Sequence, residues 1–207
     1  YNADNMPIDL IISPELEVAR SIERQLKAPG ANDVVPFLSD EIELLCLPIK
    51  ENCPLIDTTL ISIHELFQEN ANKEKDLRAS ILGITRGENL YIPKKQDKLM
   101  ERDLIYILAD KNHVKRTMNA FGFDEKPIKK IIIIGGGNIG FNLAKDLELS
   151  GSDISVCIIE KNVERANFIA DQLNNSLVLN GDGLDQSILD EANVKETNMM
   201  LALTNDD

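Results

Sequence analysis

The sequence predicts an α/β protein in which a doubly wound, Rossmann-like parallel sheet follows a smaller α+β module. Three observations indicate the sheet. Four consecutive isoleucines at 131–134 show no polar alternation, which is typical of a parallel strand buried on both faces. A glycine-rich turn follows directly, and after one helix length a second apolar run covers residues 154–159. Strand, turn, helix and strand in this order predict a βαβ unit.

The glycine-rich turn, GGGNIG at 135–140, has the form G-x-G-x-x-G. In that pattern the first glycine permits a tight turn, the second lets the backbone approach a pyrophosphate, and the third lets helix and strand pack closely. Glu160 ends the second apolar run, about 20 residues after the motif, where a Rossmann unit places the acid that binds ribose hydroxyls. The alternative is an ordinary turn in a buried βαβ unit, but this context favours nucleotide binding.

The elements expected after the glycine motif alternate between helix and strand. They are a helix ended by Gly151, the strand ending at Glu160, a helix over 163–173, a strand over 177–179, a turn at 180–183, a helix carrying Leu184, Ile188 and Leu189, and a strand over 199–203. A doubly wound domain needs about two more strands. We therefore expect the domain to be truncated at the end of this sequence.

The first 35 residues predict a short strand at 8–12 and one helix. Ser13-Pro14-Glu15 is a strong helix start, with an N-cap serine, a proline at the first helical position and an acid in the first turn. Pro29-Gly30 ends the helix. Its apolar stripe comprises Ala19, Ile22 and Leu26. A strand and one helix cannot bury themselves, so this segment is expected to dock on another domain or another chain.

The middle of the chain predicts a small α+β module with two helices and about four strands. The expected elements are a strand over 42–47, a helix over 60–67 with Ile63, Leu66 and Phe67 facing inward, a polar loop at 70–76, a hairpin of 79–86 and 89–93 joined by Gly87-Glu88, a strand over 103–109 and a helix over 111–121. Gly122 closes the last helix.

Composition and charge narrow the class of partner. The 207 residues carry a net charge of −13, so direct binding to nucleic acid or to an anionic membrane surface is not expected. No apolar run approaches the ~20 residues needed to span a bilayer, and no secretory signal is present. These features predict a cytosolic globular protein without membrane insertion.

The cysteines and histidines do not suggest a metal or catalytic site. Cys46, Cys53 and Cys157 are odd in number and form no CxxC pair, which argues against a disulfide framework or a zinc site. Cys157 lies in a predicted strand and is expected in the core. His64 and His113 have no spaced partner ligand, so surface or capping roles are expected for them.

Several motifs together resemble the RCK family, the regulators of potassium conductance. The glycine motif with Glu160, the turn Asn180-Gly181-Asp182-Gly183 and the segment 203–207 resemble the N-terminal nucleotide-binding RCK subdomain, in the form found in the second repeat of Trk-system potassium uptake regulators. The pattern of Ile81, Ile84, Arg86, Ile92-Pro93 and Asp103 resembles the C-terminal RCK subdomain, called TrkA-C.

The resemblance implies three segments. Residues 1–35 correspond to the last strand and crossover helix of a preceding RCK Rossmann subdomain. Residues 36–122 correspond to an RCK C-terminal subdomain. Residues 123–207 correspond to the first part of a second NAD-binding Rossmann subdomain.

The resemblance also implies a function and a site. The protein is expected to be a non-enzymatic regulatory subunit that binds NAD(H) or ATP/ADP beneath a potassium-translocating membrane subunit, at the inner face of the cell membrane. It would self-associate as a homodimer or higher oligomer through its crossover helix. The cofactor-binding residues implied are Gly135, Gly137, Asn138, Ile139 and Gly140 at the phosphates, Glu160 at the ribose, Asp182 and Gly183 at the adenine, and Thr204 at the pocket border.

Some alternatives stay open at this point. Some relatives that favour ATP carry arginine where this chain has Asn138, and the absence of that arginine favours NAD(H). Asp182 has a second reading as a turn residue only. Arg165 either reaches a phosphate or points to solvent. The whole unit has a second reading as part of an NAD-dependent oxidoreductase, although no His or Tyr follows Gly135 in this sequence to act as an acid or base.

Overall fold

The structure is a computed structural model that describes residues 12–37, 41–69, 78–124 and 126–204. The chain divides into two compact units. Arg24–Pro127 forms one unit, and Ile128–Asp207 together with Tyr1–Glu23 forms the other. The division falls inside the first helix, and the assignment of residues 1–35 to a preceding domain stays a prediction.

The first helix, α1, covers Pro14–Lys27 and begins where the sequence predicted. Ala19 is fully buried and Leu26 is 4% exposed within this chain. These two side chains of the predicted stripe are thus covered within this chain, and self-association through the helix stays a prediction. The strand predicted at 8–12 lies outside the described residues except for Ile12, which is in no strand.

The first unit contains one antiparallel sheet and two α-helices after α1. Its elements are β1 (Asp33–Phe37), β2 (Ile42–Pro48), α2 (Leu60–Glu69), β3 (Ala79–Arg86), β4 (Asn89–Tyr91), β5 (Leu104–Asp110) and α3 (Val114–Ala120). The strand order is β1-β2-β5-β3-β4. The predicted hairpin is present, with Gly87 at φ +61°. The polar loop expected at 70–76 lies outside the described residues.

Two expectations for this unit were wrong. The sheet has five strands because β1, which contains Pro36, pairs along its whole length with β2. Proline is tolerated there because β1 is an edge strand. Leu66 is 47% exposed, whereas Ile63 and Phe67 are buried. At 3.6 residues per turn, a face centred on positions 63 and 67 turns position 66 to the side.

A buried ion pair anchors β3 to the segment before β5. Asp103 is 1% exposed and accepts hydrogen bonds from Arg86 Nε at 2.8 Å and Nη2 at 2.7 Å. The Met100 amide donates a third bond to Asp103 at 2.9 Å. The hydrogen bond to Asp103 raises the pKa of Arg86. This pairing gives a structural reason for the arginine and aspartate in the sequence pattern.

The second unit is an open parallel sheet flanked by helices. Its elements are β6 (Lys130–Ile134), α4 (Asn138–Leu149), β7 (Ser155–Glu160), α5 (Val163–Gln172), β8 (Leu177–Asn180), α6 (Gln186–Glu191) and β9 (Met199–Ala202). The strand order is β8-β7-β6-β9, and each neighbouring pair is parallel. The predicted Rossmann-like α/β fold is confirmed.

The isoleucine run forms the centre of this sheet. Ile131, Ile132 and Ile133 are at most 1% exposed, as expected for a strand covered on both faces. β7 pairs on one side of β6 and β9 on the other. The chain therefore reverses direction across the sheet between β6 and β9, which creates a switch point at their carboxyl ends.

One predicted helix begins later than expected. Leu184 was placed on it, but α6 starts at Gln186 after the capping residue Asp185, whose side chain accepts from the Ser187 amide. Leu184 is 92% exposed. Asp185 accepts the amide of Ser187, the second residue of the helix, and this capping bond leaves Leu184 in the preceding turn.

Glu148, near the end of α4, anchors the segment between α5 and β8. Its carboxylate accepts from the amides of Asn174, Asn175 and Ser176 and from the Ser176 hydroxyl, at 2.7–3.0 Å. Burial alone would raise the pKa of Glu148, but these hydrogen bonds outweigh burial and lower it. The bonds thus connect the helix before β7 to the segment that leads from α5 into β8.

Candidate functional site

A pocket of ≈630 Å³ opens at the carboxyl ends of the parallel strands. Its lining residues are Ile134, Gly135, Gly137, Ile159, Glu160, Lys161, Gly181, Asp182, Gly183, Leu184, Ala202, Leu203 and Thr204. These residues lie at the carboxyl ends of all four strands or directly after them, and they meet at the switch point between β6 and β9. Open α/β sheets bind their ligands at this position, and the volume is typical of a small-molecule site.

The three motif glycines have three different surroundings. Gly135 has φ +105°, and a Cβ there would lie 2.6 Å from the Leu203 carbonyl oxygen. A Cβ on Gly140 would press on the Gly135 carbonyl oxygen, whereas a Cβ on Gly137 would meet nothing within 4 Å. Gly135 thus makes the turn, Gly140 allows the helix to pack, and Gly137 borders open space, in agreement with the motif's three roles.

Helix α4 presents its N-terminus beside this loop. Gly137 is the N-cap, and its carbonyl accepts the Phe141 amide at 3.0 Å. Asn138, Ile139 and Gly140 form the first turn, where amides have no partner inside the helix. The macrodipole adds partial positive charge at this end, so the geometry is suited to an anion. None of these three residues is among those that line the pocket.

Glu160 lies at the end of β7 and is hydrogen-bonded to the glycine loop. Its Oε2 accepts from the Gly136 amide at 2.7 Å, and its Oε1 accepts from the Asn162 amide at 2.7 Å. Each carboxylate oxygen has a second lone pair. Glu160 therefore braces the loop and still has acceptor capacity towards the pocket that it lines.

Asp182 forms both a turn and part of the pocket wall. Its Oδ1 accepts from the Leu184 amide at 3.0 Å and its Oδ2 lies 2.9 Å from Lys161 Nζ. The Leu184 amide contributes most to lowering the pKa of Asp182, followed by Lys161. Gly183 is packed so closely that a Cβ would press on Ile134. Thr204 lines the opposite side of the pocket, after β9.

The structure brings six of the nine predicted site residues into the pocket wall: Gly135, Gly137, Glu160, Asp182, Gly183 and Thr204. Lys161 and Leu184 also line it, although the sequence reasoning did not name them as site residues. The sequence signal that could have identified them is their position, because Lys161 directly follows Glu160 and Leu184 directly follows Gly183. Arg165 lies outside the wall and bonds the loop itself, with Nε 2.7 Å from the Gly136 carbonyl oxygen.

Two family models match this chain. The TrkA-C domain model matches residues 46–122 and the TrkA-N domain model matches residues 131–207. The chain therefore contains a TrkA-C domain followed by a TrkA-N domain. The TrkA-N domain contains the glycine loop, Glu160 and the whole pocket, and the TrkA-C domain contains most of the antiparallel sheet.

Curated relatives agree with this assignment. The chain is 42% identical over 204 residues to the Trk system potassium uptake protein TrkA of Azorhizobium caulinodans, covering 99% of this chain and 43% of the relative. It is 32% identical to the protein of the same name from Vibrio alginolyticus, covering 100% of this chain and 43% of the relative. The chain thus spans less than half the length of these relatives.

Solved structures share the fold. A crystal structure of the GsuK RCK domain aligns with a TM-score of 0.54 at 18% identity, covering 96% of this chain and 40% of that one. A structure described as the GsuK channel bound to NAD aligns with a TM-score of 0.53 at 18% identity, covering 94% and 32%. At this level of identity, these likenesses show a shared fold.

The TrkA-C domain has a cleft of its own, of ≈420 Å³, between α2 and the sheet. His64, Arg78 and Asp110 are among its lining residues, and Arg78 Nη1 lies 3.6 Å from Asp110 Oδ2. Within residues 12–37, 41–69, 78–124 and 126–204, no group of three or more His, Cys, Asp or Glu side chains is arranged to hold a metal ion. None of the helices in those ranges has both the length and the apolar character required to cross a bilayer.

Proposed function

We propose that this chain is the nucleotide-sensing part of a regulatory subunit that controls potassium uptake through a Trk- or Ktr-type membrane transporter. The convergence of the glycine loop, the N-terminus of α4 and Glu160 on one pocket supports this most directly. The potassium uptake system is inferred from the names of the curated relatives.

Within the pocket, each proposed contact has a chemical reason. Gly135, Gly137, Asn138, Ile139 and Gly140 would hold a pyrophosphate through backbone groups, because the loop and the helix end offer amides to an anion. Glu160 would accept the adenosine ribose hydroxyls. Asp182 and Gly183 would border the adenine, and Thr204 would close the pocket beyond β9.

NAD(H) is the proposed ligand, with ATP or ADP as the alternative. Asn138 is uncharged and exposed at the start of α4, so the loop has no added cation for a terminal phosphate at that position. The GsuK channel structure described as bound to NAD supports the same ligand class.

The proposed role is regulatory and does not include turnover. The titratable side chains of the pocket wall are Glu160, Lys161 and Asp182. Glu160 braces the loop with both oxygens, and Asp182 bonds Lys161 and the Leu184 amide. A ligand that changes the packing of these elements would alter the association of RCK units, which the transporter would then sense. The protein would act as a homodimer or higher oligomer at the cytoplasmic face of the membrane.

Calorimetric titration of the purified protein with NADH, NAD, ATP and ADP tests the ligand, and NADH absorbance followed over time tests turnover. We expect saturable binding without consumption of NADH. Steady oxidation of NADH would favour an oxidoreductase instead. Potassium uptake by cells that lack the protein, before and after its reintroduction, tests the transport role.

A further inference from the structure

Gly136, the middle residue of the three successive glycines, makes contacts that the three roles of the motif glycines do not require. Its amide donates to Glu160 Oε2 at 2.7 Å, and its carbonyl accepts from Arg165 Nε at 2.7 Å. A Cβ on Gly136 would press on Ile169 Cδ1 of α5. Both polar groups of this residue are thus bonded to the β7–α5 segment.

These bonds close into a ring. Glu160 accepts from the amides of both Gly136 and Asn162. Asn162 caps α5, with its Oδ1 accepting the Arg165 amide at 2.8 Å, and the Arg165 side chain returns to the Gly136 carbonyl. Four residues from two separate segments are therefore connected by four hydrogen bonds.

Aromatic rings fix the direction of the Arg165 side chain. Its guanidinium carbon lies 5.5 Å from the centroid of the Phe141 ring and 5.1 Å from that of Phe168. The two rings are 5.8 Å apart. A planar guanidinium stacks on aromatic rings and donates in a fixed direction, whereas a Lys ammonium keeps the cation–π attraction but cannot stack and has rotating donors. Arg165 therefore bonds the loop as an oriented donor.

We propose that Arg165 is a positioning residue that holds the loop of three successive glycines in its ligand-binding conformation. Glycine loses more conformational freedom on ordering than any other residue, so an unbraced run of Gly135, Gly136 and Gly137 would be ordered only when the ligand binds. Bracing the loop in advance removes that cost from the binding free energy. This inference rests on the proposed nucleotide site.

A positive charge alone is not expected to replace Arg165. Arg165→Lys keeps the positive charge and loses the planar donor, and Arg165→Met loses both. We expect both variants to bind ADP about tenfold more weakly than wild type, because roughly one more residue of the loop must then be ordered when the ligand binds. Lys195→Met is the matched control, because it removes an exposed positive charge from the same domain.

The experiment combines calorimetric titration with ADP and amide hydrogen exchange by NMR in the ligand-free protein. In both Arg165 variants we expect faster exchange at residues 135–137 and unchanged protection in β6 and β7. Wild-type affinity for ADP in Arg165→Lys would show that charge suffices and would overturn the proposal. Faster exchange throughout the sheet would also overturn it, because Arg165 would then support the fold in general. If wild type binds no nucleotide while the loop still loosens, the proposed function fails and the brace itself stands.

Discussion

Replacing Gly137 by alanine adds a single carbon atom, and this change tests ligand binding separately from folding. A Cβ at this position meets nothing within 4 Å in the structure, and the backbone at φ −61°, ψ −168° is open to any L-residue. The new methyl group would point into open space where the phosphates are proposed to approach the backbone.

The expected magnitudes differ for folding and for binding. Alanine at an N-cap is slightly worse than glycine, whereas a less flexible unfolded chain stabilises by ~0.4–1 kcal/mol, so the net change in unfolding free energy should stay within about 1 kcal/mol. Loss of one charge-assisted hydrogen bond to a displaced phosphate costs about 1.5–3 kcal/mol. This corresponds to roughly ten- to hundredfold weaker binding.

Two matched glycine-to-alanine variants serve as controls in the same titrations with NADH and in urea unfolding. Gly83→Ala in β3 places its Cβ at an ordinary 3.5 Å from Leu90 Cδ1 in β4, so it should leave NADH binding unchanged and change the unfolding free energy by no more than about 1 kcal/mol. Gly140→Ala presses on the Gly135 carbonyl oxygen, so it should destabilise the fold by about 1–3 kcal/mol. If Gly137→Ala is folded and binds NADH within about twofold of wild type, where this scale requires tenfold or more, the assignment of this loop to phosphate binding is refuted.

Three further predictions concern single side chains. Glu160→Gln should weaken NADH binding roughly ten- to hundredfold by calorimetry, because it removes the charge that would bind the ribose hydroxyls, and unchanged affinity would contradict the Rossmann assignment. Arg86→Met should lower the unfolding free energy by roughly 2–3 kcal/mol in urea titrations, since it leaves the buried Asp103 unpaired while Arg86 itself is partly exposed. Glu148→Gln should destabilise the protein at neutral pH, and the difference from wild type should disappear in acid. The folded-state pKa of Glu148 is lowered, so its contribution is complete above the unfolded value of about 4.3 and is lost as the pH falls through the folded value. A difference in urea midpoint that does not change with pH would contradict this account.

Local sequence signals predicted most of the element order. The isoleucine run, the glycine motif and the N-cap at Ser13 act over a few residues. β6 and α1 begin within one residue of the expected positions, and α4 follows the glycine motif as predicted. The roles of the motif glycines also follow from local geometry, because Gly135 makes the turn and Gly140, in the first turn of α4, packs against the Gly135 carbonyl oxygen. The family resemblance rested on these signals and is confirmed by the two domain models.

Features that depend on distant partners were not readable in the sequence. β1 contains a proline and becomes a strand through its pairing with β2. Leu66 fits an apolar pattern, yet it is exposed, because the packing of α2 determines which of its side chains face inward. Leu184 is a different case, since the local cap at Asp185 leaves it exposed in the turn before α6.

Sequence by itself determined that a strand, a glycine turn, a helix and an acid follow one another, because these patterns are set by neighbouring residues. Only the tertiary structure decided that β9 lies beside β6, which opens the pocket. It also decided that Glu160 accepts from the Gly136 amide and that Arg165 donates to the Gly136 carbonyl. The physical reason is separation along the chain: Gly136 lies 24 residues from Glu160 and 29 from Arg165. No local pattern encodes a contact that exists only after the sheet has formed.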